Sequence, residues 1–260
     1  MLAIEVLMKD TKSIVARHNG DAISQGGIFE EIDGVWLDGL QFCSKVYGMF
    51  RAQRAKPNAI TRWRLRSGGF EKKTAEELLP ISRYIQAKYR TGYYISIRWR
   101  SGSQSFDAEI VRCGEIVECY RLSPFGFLEV TSAMHANDHL LREGLENGGF
   151  VFGVEGMQVA GTRASQNREI TSTPVVHANH DFIETMAEIA LTSIRNKINK
   201  NYPENAVLIV QCTLNAPYLE DEWQRFISVV QERLPSHDFE EIWVCDSSDL
   251  YCTSLSQRKR

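Results

Sequence analysis

No apolar run in the 260-residue chain approaches the roughly 18 to 20 residues that a bilayer-crossing helix requires, and the opening MLAIEVLMKDTK has too short an apolar stretch, broken by Glu5, to read as a secretory signal. A cytoplasmic protein with no membrane partner is the expectation. The six cysteines, Cys43, Cys113, Cys119, Cys212, Cys245 and Cys252, include no CxxC pair and no Cys/His spacing of a zinc site. Buried thiols in a reducing compartment follow, rather than a disulfide framework. His135 and His139 stand four apart and His177 and His180 three apart, but neither pair has an evident third ligand. Also missing are GxxxxGK[ST], a GxGxxG after a strand and a GxSxG elbow, which removes the usual signatures of phosphate-loop, dinucleotide and serine-hydrolase chemistry.

Acidic residues are scarce in one window. Residues 51–100 carry 13 Lys/Arg against 3 Asp/Glu, although the chain as a whole has a net charge of -3. Trp63, Tyr84, Tyr89, Tyr93, Tyr94 and Trp99 are interleaved with that charge. Cations that meet phosphates, alternating with rings on which bases stack, are the pattern of a nucleic-acid surface. Core aromatics beside a solvated basic face would give the same pattern.

Periodicity places the elements. A helix is expected over SGGFEKKTAEELLPISRYIQAKYRTG, with Thr74 as N-cap, Glu77 completing a capping box and Gly92 as the stop. YYISIRWR, FDAEIVRC, GEIVECYRL and FGFLEVTSA read as strands of a meander, NDHLLREGLENGG as a helix and FVFGVEGMQVAG as further β structure. HDFIETMAEIALTSIRNKINKNY keeps a 3.6-residue apolar period, AVLIVQCTL is a strand covered on both faces, DEWQRFISVVQERL is a helix and FEEIWVCD a final central strand. The order predicts an α/β domain with a mixed sheet over residues 71–252, preceded by a region 1–70 of unclear structure and followed by a disordered tail, 253–260.

Within the strands, Asp107, Glu109 and Glu129 sit among Phe, Ile, Leu and Val, where an unpaired carboxylate is costly. Asp107 and Glu109 are two apart and so project from one face of their strand. If the meander pairs in sequence order, Glu129 approaches them, and a divalent cation would relieve the repulsion. The opposing reading gives each acid its own partner: Arg98 or Arg121 for Glu129, a turn after Ser105 for Asp107.

The stretch GSQSFDAEI…FLEVTSA, preceded by AEELLPISRYI and followed by HLLREGLENGG, resembles the core of the PD-(D/E)xK nuclease superfamily from about Thr74 to Gly149. The resemblance implies a restriction-endonuclease-like three-layer fold, a central mixed β-sheet flanked by helices, and Mg²⁺- or Mn²⁺-dependent cleavage of nucleic acid, DNA before RNA, in defence or restriction. By position, Asp107 and Glu129 correspond to the metal-binding acids and Glu77, or Glu76, to the helical Glu, with Glu109 as an auxiliary metal ligand. Where the family has lysine this chain reads Glu129-Val130-Thr131. Arg142 is the expected substitute, with Lys197 and Lys200 as alternatives. Arg98, Arg100, Arg90 and Lys88 are expected to face phosphate. The missing lysine equally fits an inactive nuclease-fold module that binds nucleic acid or, as an immunity or regulatory partner, another protein; a homodimer is compatible with either reading.

Overall fold

The computed structural model describes residues 27, 29–161, 169–176, 178–212, 219–248 and 250–255. The chain divides into two compact units, Met1–Glu30 and Glu31–Arg260. The second carries the fold, an α/β body around a seven-stranded mixed sheet. His177 and the tail from residue 256 lie outside the described residues.

The body begins with β1 (Leu37–Asp38), α1 (Gly39–Arg54), α2 (Ala59–Leu65) and α3 (Gly69–Lys73), which continues through a π-helical turn, Thr74–Leu78, into α4 (Leu79–Lys88). Next come β2 (Tyr94–Trp99), β3 (Ala108–Cys113), the short helix α5 (Glu115–Cys119), β4 (Phe125–Ala133) and α6 (Asp138–Gly148). A separate hairpin, β5 (Met157–Ala160) with β6 (Glu169–Ser172), precedes α7 (Asn179–Ile198), β7 (Ala206–Cys212), α8 (Glu220–Arg233), β8 (Glu241–Asp246) and β9 (Cys252–Leu255). The sheet order is β1-β2-β3-β4-β7-β8-β9. Its first four strands are antiparallel neighbours, β4, β7 and β8 run parallel, and β9 returns antiparallel.

Burial explains the layers. All seven residues of β7 are buried, as a continuous apolar strand between two covered faces should be. On one face Ile183, Met186, Ala187, Ala190 and Ile194 of α7 and Trp223, Phe226 and Val230 of α8 pack on Leu208, Val210, Ile242 and Val244. The opposite face meets α4, where Tyr84 lies edge-on to Trp243 at 5.5 Å. Gly39 opens α1 where a Cβ would lie 2.9 Å from the Ile95 carbonyl oxygen and 2.8 Å from Ile85, so only glycine lets α1 approach β2 and α4 this closely.

Several expectations need correction. Thr74 is no N-cap: the helix already runs from Gly69, and Thr74 is buried inside it. Pro80 has no N–H to continue the regular ladder, and the Leu79 N–H reaches back to the Thr74 carbonyl in a π turn. GEIVECYRL is a short helix rather than a strand; Gly114, at φ +111°, turns the chain where a Cβ would meet the Gly92 carbonyl oxygen at 2.5 Å, and the Leu122 N–H closes on the Val117 carbonyl. β8 is not the final strand, because β9 pairs beyond it and carries the sheet through Leu255, past the expected boundary at residue 252. At the other end β1, α1 and α2, from the stretch whose structure the sequence leaves unclear, belong to the same body as the sheet.

Candidate functional site

The site starts from strand register. Ala108 of β3 lies opposite Leu128 of β4, and the Asp107 N–H donates to the Leu128 carbonyl at 2.8 Å. Asp107, the residue before β3, therefore sits across from Glu129, and its Oδ2 accepts the Val130 N–H at 2.7 Å. Two acids 22 residues apart in sequence become cross-strand neighbours.

Glu129 is 7% exposed and takes its partners from the α7 side of the sheet. Lys197, in the last turn of α7, donates through Nζ to Oε1, and the Tyr202 hydroxyl donates to the same oxygen at 3.2 Å. One turn earlier on α7, the Ser193 hydroxyl donates to the Ser132 carbonyl at 3.4 Å, fixing the helix along β4 so that Lys197 reaches Glu129. A cation thus reaches Glu129 from the neighbouring helix.

Glu77 comes from the opposite side, on the π turn, which packs against β4. Burial raises its carboxyl above the ordinary range and the charges of Glu76 and Glu129 add to this, while the Lys73 charge and the nearby Trp99 indole oppose it. The Lys73 ammonium stands 5.2 Å from the centre of the Trp99 ring and donates to the Ser101 carbonyl at 3.1 Å. Of these acids Asp107 is the one shifted furthest. Burial first, then the charges of Glu129 and Glu77, push it up to about 7 against the pull of the Val130 N–H and Lys197. Asp107, Glu129 and Glu77 therefore form one electrostatic unit, with Lys197 and Lys73 at its borders.

The remaining acids are engaged elsewhere. Glu109 spends both carboxylate oxygens on arginines: Arg98 donates to them at 2.5 and 2.8 Å and Arg100 at 3.3 Å. Burial pushes its carboxyl up, but these hydrogen bonds and charges outweigh it and hold Glu109 below the usual range. Arg142 is paired with Asp138, four residues earlier on α6, at 2.5 Å. Burial and the nearby charge of Arg66 lower its pKa against Asp138 and Glu76. The cation in contact with Glu129 is accordingly Lys197, whereas Arg142 is engaged by Asp138.

The four residues expected to face phosphate divide in the same way. Arg98 and Arg100 hold Glu109, with Arg98 also 4.9 Å above the Trp36 ring, and Lys88 binds Glu241 at 2.5 Å. Arg90 is exposed and makes no ion pair among the described residues. The histidines of the 135/139 pair stay local: His135 Nδ1 accepts the Asn137 N–H at 3.1 Å, and His139 Nδ1 lies 3.0 Å from the Ala136 carbonyl.

Tyr202 was not identifiable beforehand, because its only sequence signal is its place just beyond the Lys197-bearing helix. Burial, reinforced by the Glu129 charge, raises its pKa, so it meets Glu129 as a neutral hydroxyl donor. Its ring packs on Phe239 at 5.0 Å. Tyr202→Phe keeps that packing and removes one hydrogen bond to a carboxylate, for which we expect a loss of about 1 kcal/mol in urea denaturation. An unchanged midpoint would show that the hydroxyl contributes nothing to holding Glu129.

Among the described residues no group of three or more His, Cys, Asp or Glu side chains is arranged to hold a metal ion. The donor set at the site is instead two cross-strand carboxylates with a third acid nearby. This suits a cation that binds through one or two carboxylates and completes its shell with water and phosphate oxygens. Searches against protein-family models, curated proteins and solved structures find no match to this chain.

Proposed function

We propose that the chain is a metal-dependent nuclease with a PD-(D/E)xK-like core, hydrolysing phosphodiester bonds in nucleic acid, DNA before RNA, in a defence or restriction role. The observation that carries this reading is the meeting of Asp107 and Glu129 across adjacent strands with Lys197 on Glu129. The order helix, three antiparallel strands, two helices and a parallel strand over α3–α4, β2–β4, α6, α7 and β7, with α5 between β3 and β4 and the β5–β6 hairpin between α6 and α7, supports a restriction-endonuclease-like arrangement.

Asp107 and Glu129 would hold Mg²⁺ or Mn²⁺, with Glu77 as the auxiliary acid. A bound ion supplies polarisation of the scissile phosphate and a lowered pKa for the attacking water. The chain's own contributions are separate. Val130 N–H fixes the Asp107 carboxyl, Tyr202 and Lys197 orient Glu129, and the Lys197 ammonium is placed to offset negative charge building up on the phosphate.

Plasmid DNA incubated with the purified protein and Mg²⁺ or Mn²⁺ is expected to be nicked or linearised, and chelator to stop the reaction. Lys197→Met is expected to lower the rate at least 100-fold while Lys197→Arg retains part of it. No metal-dependent cleavage of duplex or single-stranded DNA or RNA by the wild type would overturn the proposal. The same Lys197 and Tyr202 contacts, which already neutralise Glu129, favour a second reading, an inactive module on this scaffold. Salt-sensitive nucleic-acid binding without cleavage would select it, and indifference to nucleic acid would turn it toward a protein partner.

A further inference from the structure

The residues from Gly39 to Phe70 contain no Asp or Glu and seven Lys/Arg. The fold gathers this acid-free stretch into α1, α2 and their connecting turn. Phe50 of α1 meets Trp63 of α2 edge-on at 4.7 Å, and Trp63 meets Phe70 of α3 at 5.8 Å. The aromatic row thus joins the end of α1, where Arg51 and Arg54 follow Phe50, to the part of α2 where Arg62 and Arg64 flank Trp63. Arg62 and Arg64 have acid partners, Glu71 at 2.7 Å and Glu146 at 2.7 Å. Arg51, Arg54 and Lys56 are exposed, and none makes an ion pair among the described residues. The Arg54 guanidinium lies 5.6 Å from the centre of the Phe50 ring.

Exposed cations with no acid in their own 32-residue stretch seek anions from outside the fold. Guanidinium groups bind phosphate oxygens in pairs, and Arg51 and Arg54 are one helical turn apart. The corner is also tied to the carboxylate site, since Arg66 at the end of α2 donates to Glu76 at 2.7 Å, next to Glu77. We propose that the α1–α2 corner, through Arg51, Arg54 and Lys56, is a docking surface for the phosphate backbone of duplex nucleic acid. As a substrate-holding surface it rests on the nuclease reading; as a polyanion site it does not. It takes the part expected of Arg98, Arg100 and Lys88, whose charges are spent inside the protein.

The test measures binding and cleavage separately. A fluorescein-labelled 20-base-pair DNA duplex is titrated in chelator with the wild type, with Arg51→Glu/Arg54→Glu/Lys56→Glu and with Arg225→Glu, circular dichroism confirming that each is folded. The triple variant is expected to bind at least tenfold more weakly at 100 mM NaCl. Its log Kd should depend less steeply on log salt, by about 2 to 3, as loss of that many phosphate contacts requires. Arg225→Glu, at an exposed position on α8, should bind as the wild type does. Equal affinity of wild type and triple variant, or wild-type binding to phosphatidylserine vesicles but not to the duplex, would overturn the proposal. Patch-dependent binding with no cleavage under Mg²⁺ or Mn²⁺ would uphold the surface and remove the nuclease reading, and cleavage unaffected by the triple substitution would do the reverse.

Discussion

Asp107→Asn is expected to abolish metal-dependent cleavage, by at least 1,000-fold, and to make the metal-free protein more stable at pH 8. The two effects have one origin. Asp107 titrates near 7 instead of near 3.8 because burial and the adjacent Glu129 and Glu77 oppose its charge. Its folded-state pKa lies above its unfolded one, so the stability linked to its proton is fully present below about pH 4 and is lost as pH rises toward 7. At 1.36 kcal/mol per unit, that loss is on the order of 4 kcal/mol. Asparagine carries no charge and keeps an oxygen that can accept the Val130 N–H. We expect it to recover about 2 kcal/mol at pH 8 and almost nothing at pH 4, measured by chemical denaturation at the two values. In the wild type, millimolar Mg²⁺ should raise stability at pH 8, and in the variant it should not. A variant less stable than wild type at pH 8 would mean that Asp107 is held by compensating partners rather than strained by its neighbours.

How far this site could be read in the sequence depends on the range of the interactions that build it. Acids within apolar strands, Asp107 and Glu129, are conspicuous locally, and the β3–β4 pairing that joins them is between strands neighbouring in sequence. Lys197 is 68 residues from Glu129, and only the packing of α7 on β4 shows that it, rather than Arg142, reaches the carboxylate. The same limit appears in the fold. β7 and α7 are legible because seven buried residues in a row and a 3.6-residue apolar period are strong local signals. β1 and β9, two and four residues long, have no pattern of their own and exist through their partners. Thr74 and Glu77 have the spacing of a capping box, but the chain upstream was already helical, so tertiary context overrode a correct local rule. Glu109 reads as a metal ligand until β2 places Arg98 directly opposite it.

The second large effect is expected away from the site, at Arg112. This β3 residue is 2% exposed, and its Nη1 donates to both Glu240 oxygens at 2.8 Å and to the Ser123 carbonyl at 3.3 Å. The interaction ties the β3–β4 hairpin to the entrance of β8. The strand beside it is built to admit the guanidinium, since a Cβ on Gly126 would lie 2.9 Å from Arg112 Nη2. The partners differ in their alternatives: Glu240 is partly exposed and can turn to water, whereas Arg112 cannot. Glu240→Ala should therefore cost about 3 to 5 kcal/mol by leaving a buried cation without its counterion. Arg112→Met, which fills a similar volume without charge, should cost about 1 kcal/mol or less. The ordering is the diagnostic part, because a pair contributing only its mutual attraction would lose equally from either side. Adding Arg112→Met to Glu240→Ala should restore most of the lost stability, and a double variant as unstable as Glu240→Ala alone would show that the carboxylate's contacts with the chain, not the stranded guanidinium, set the cost.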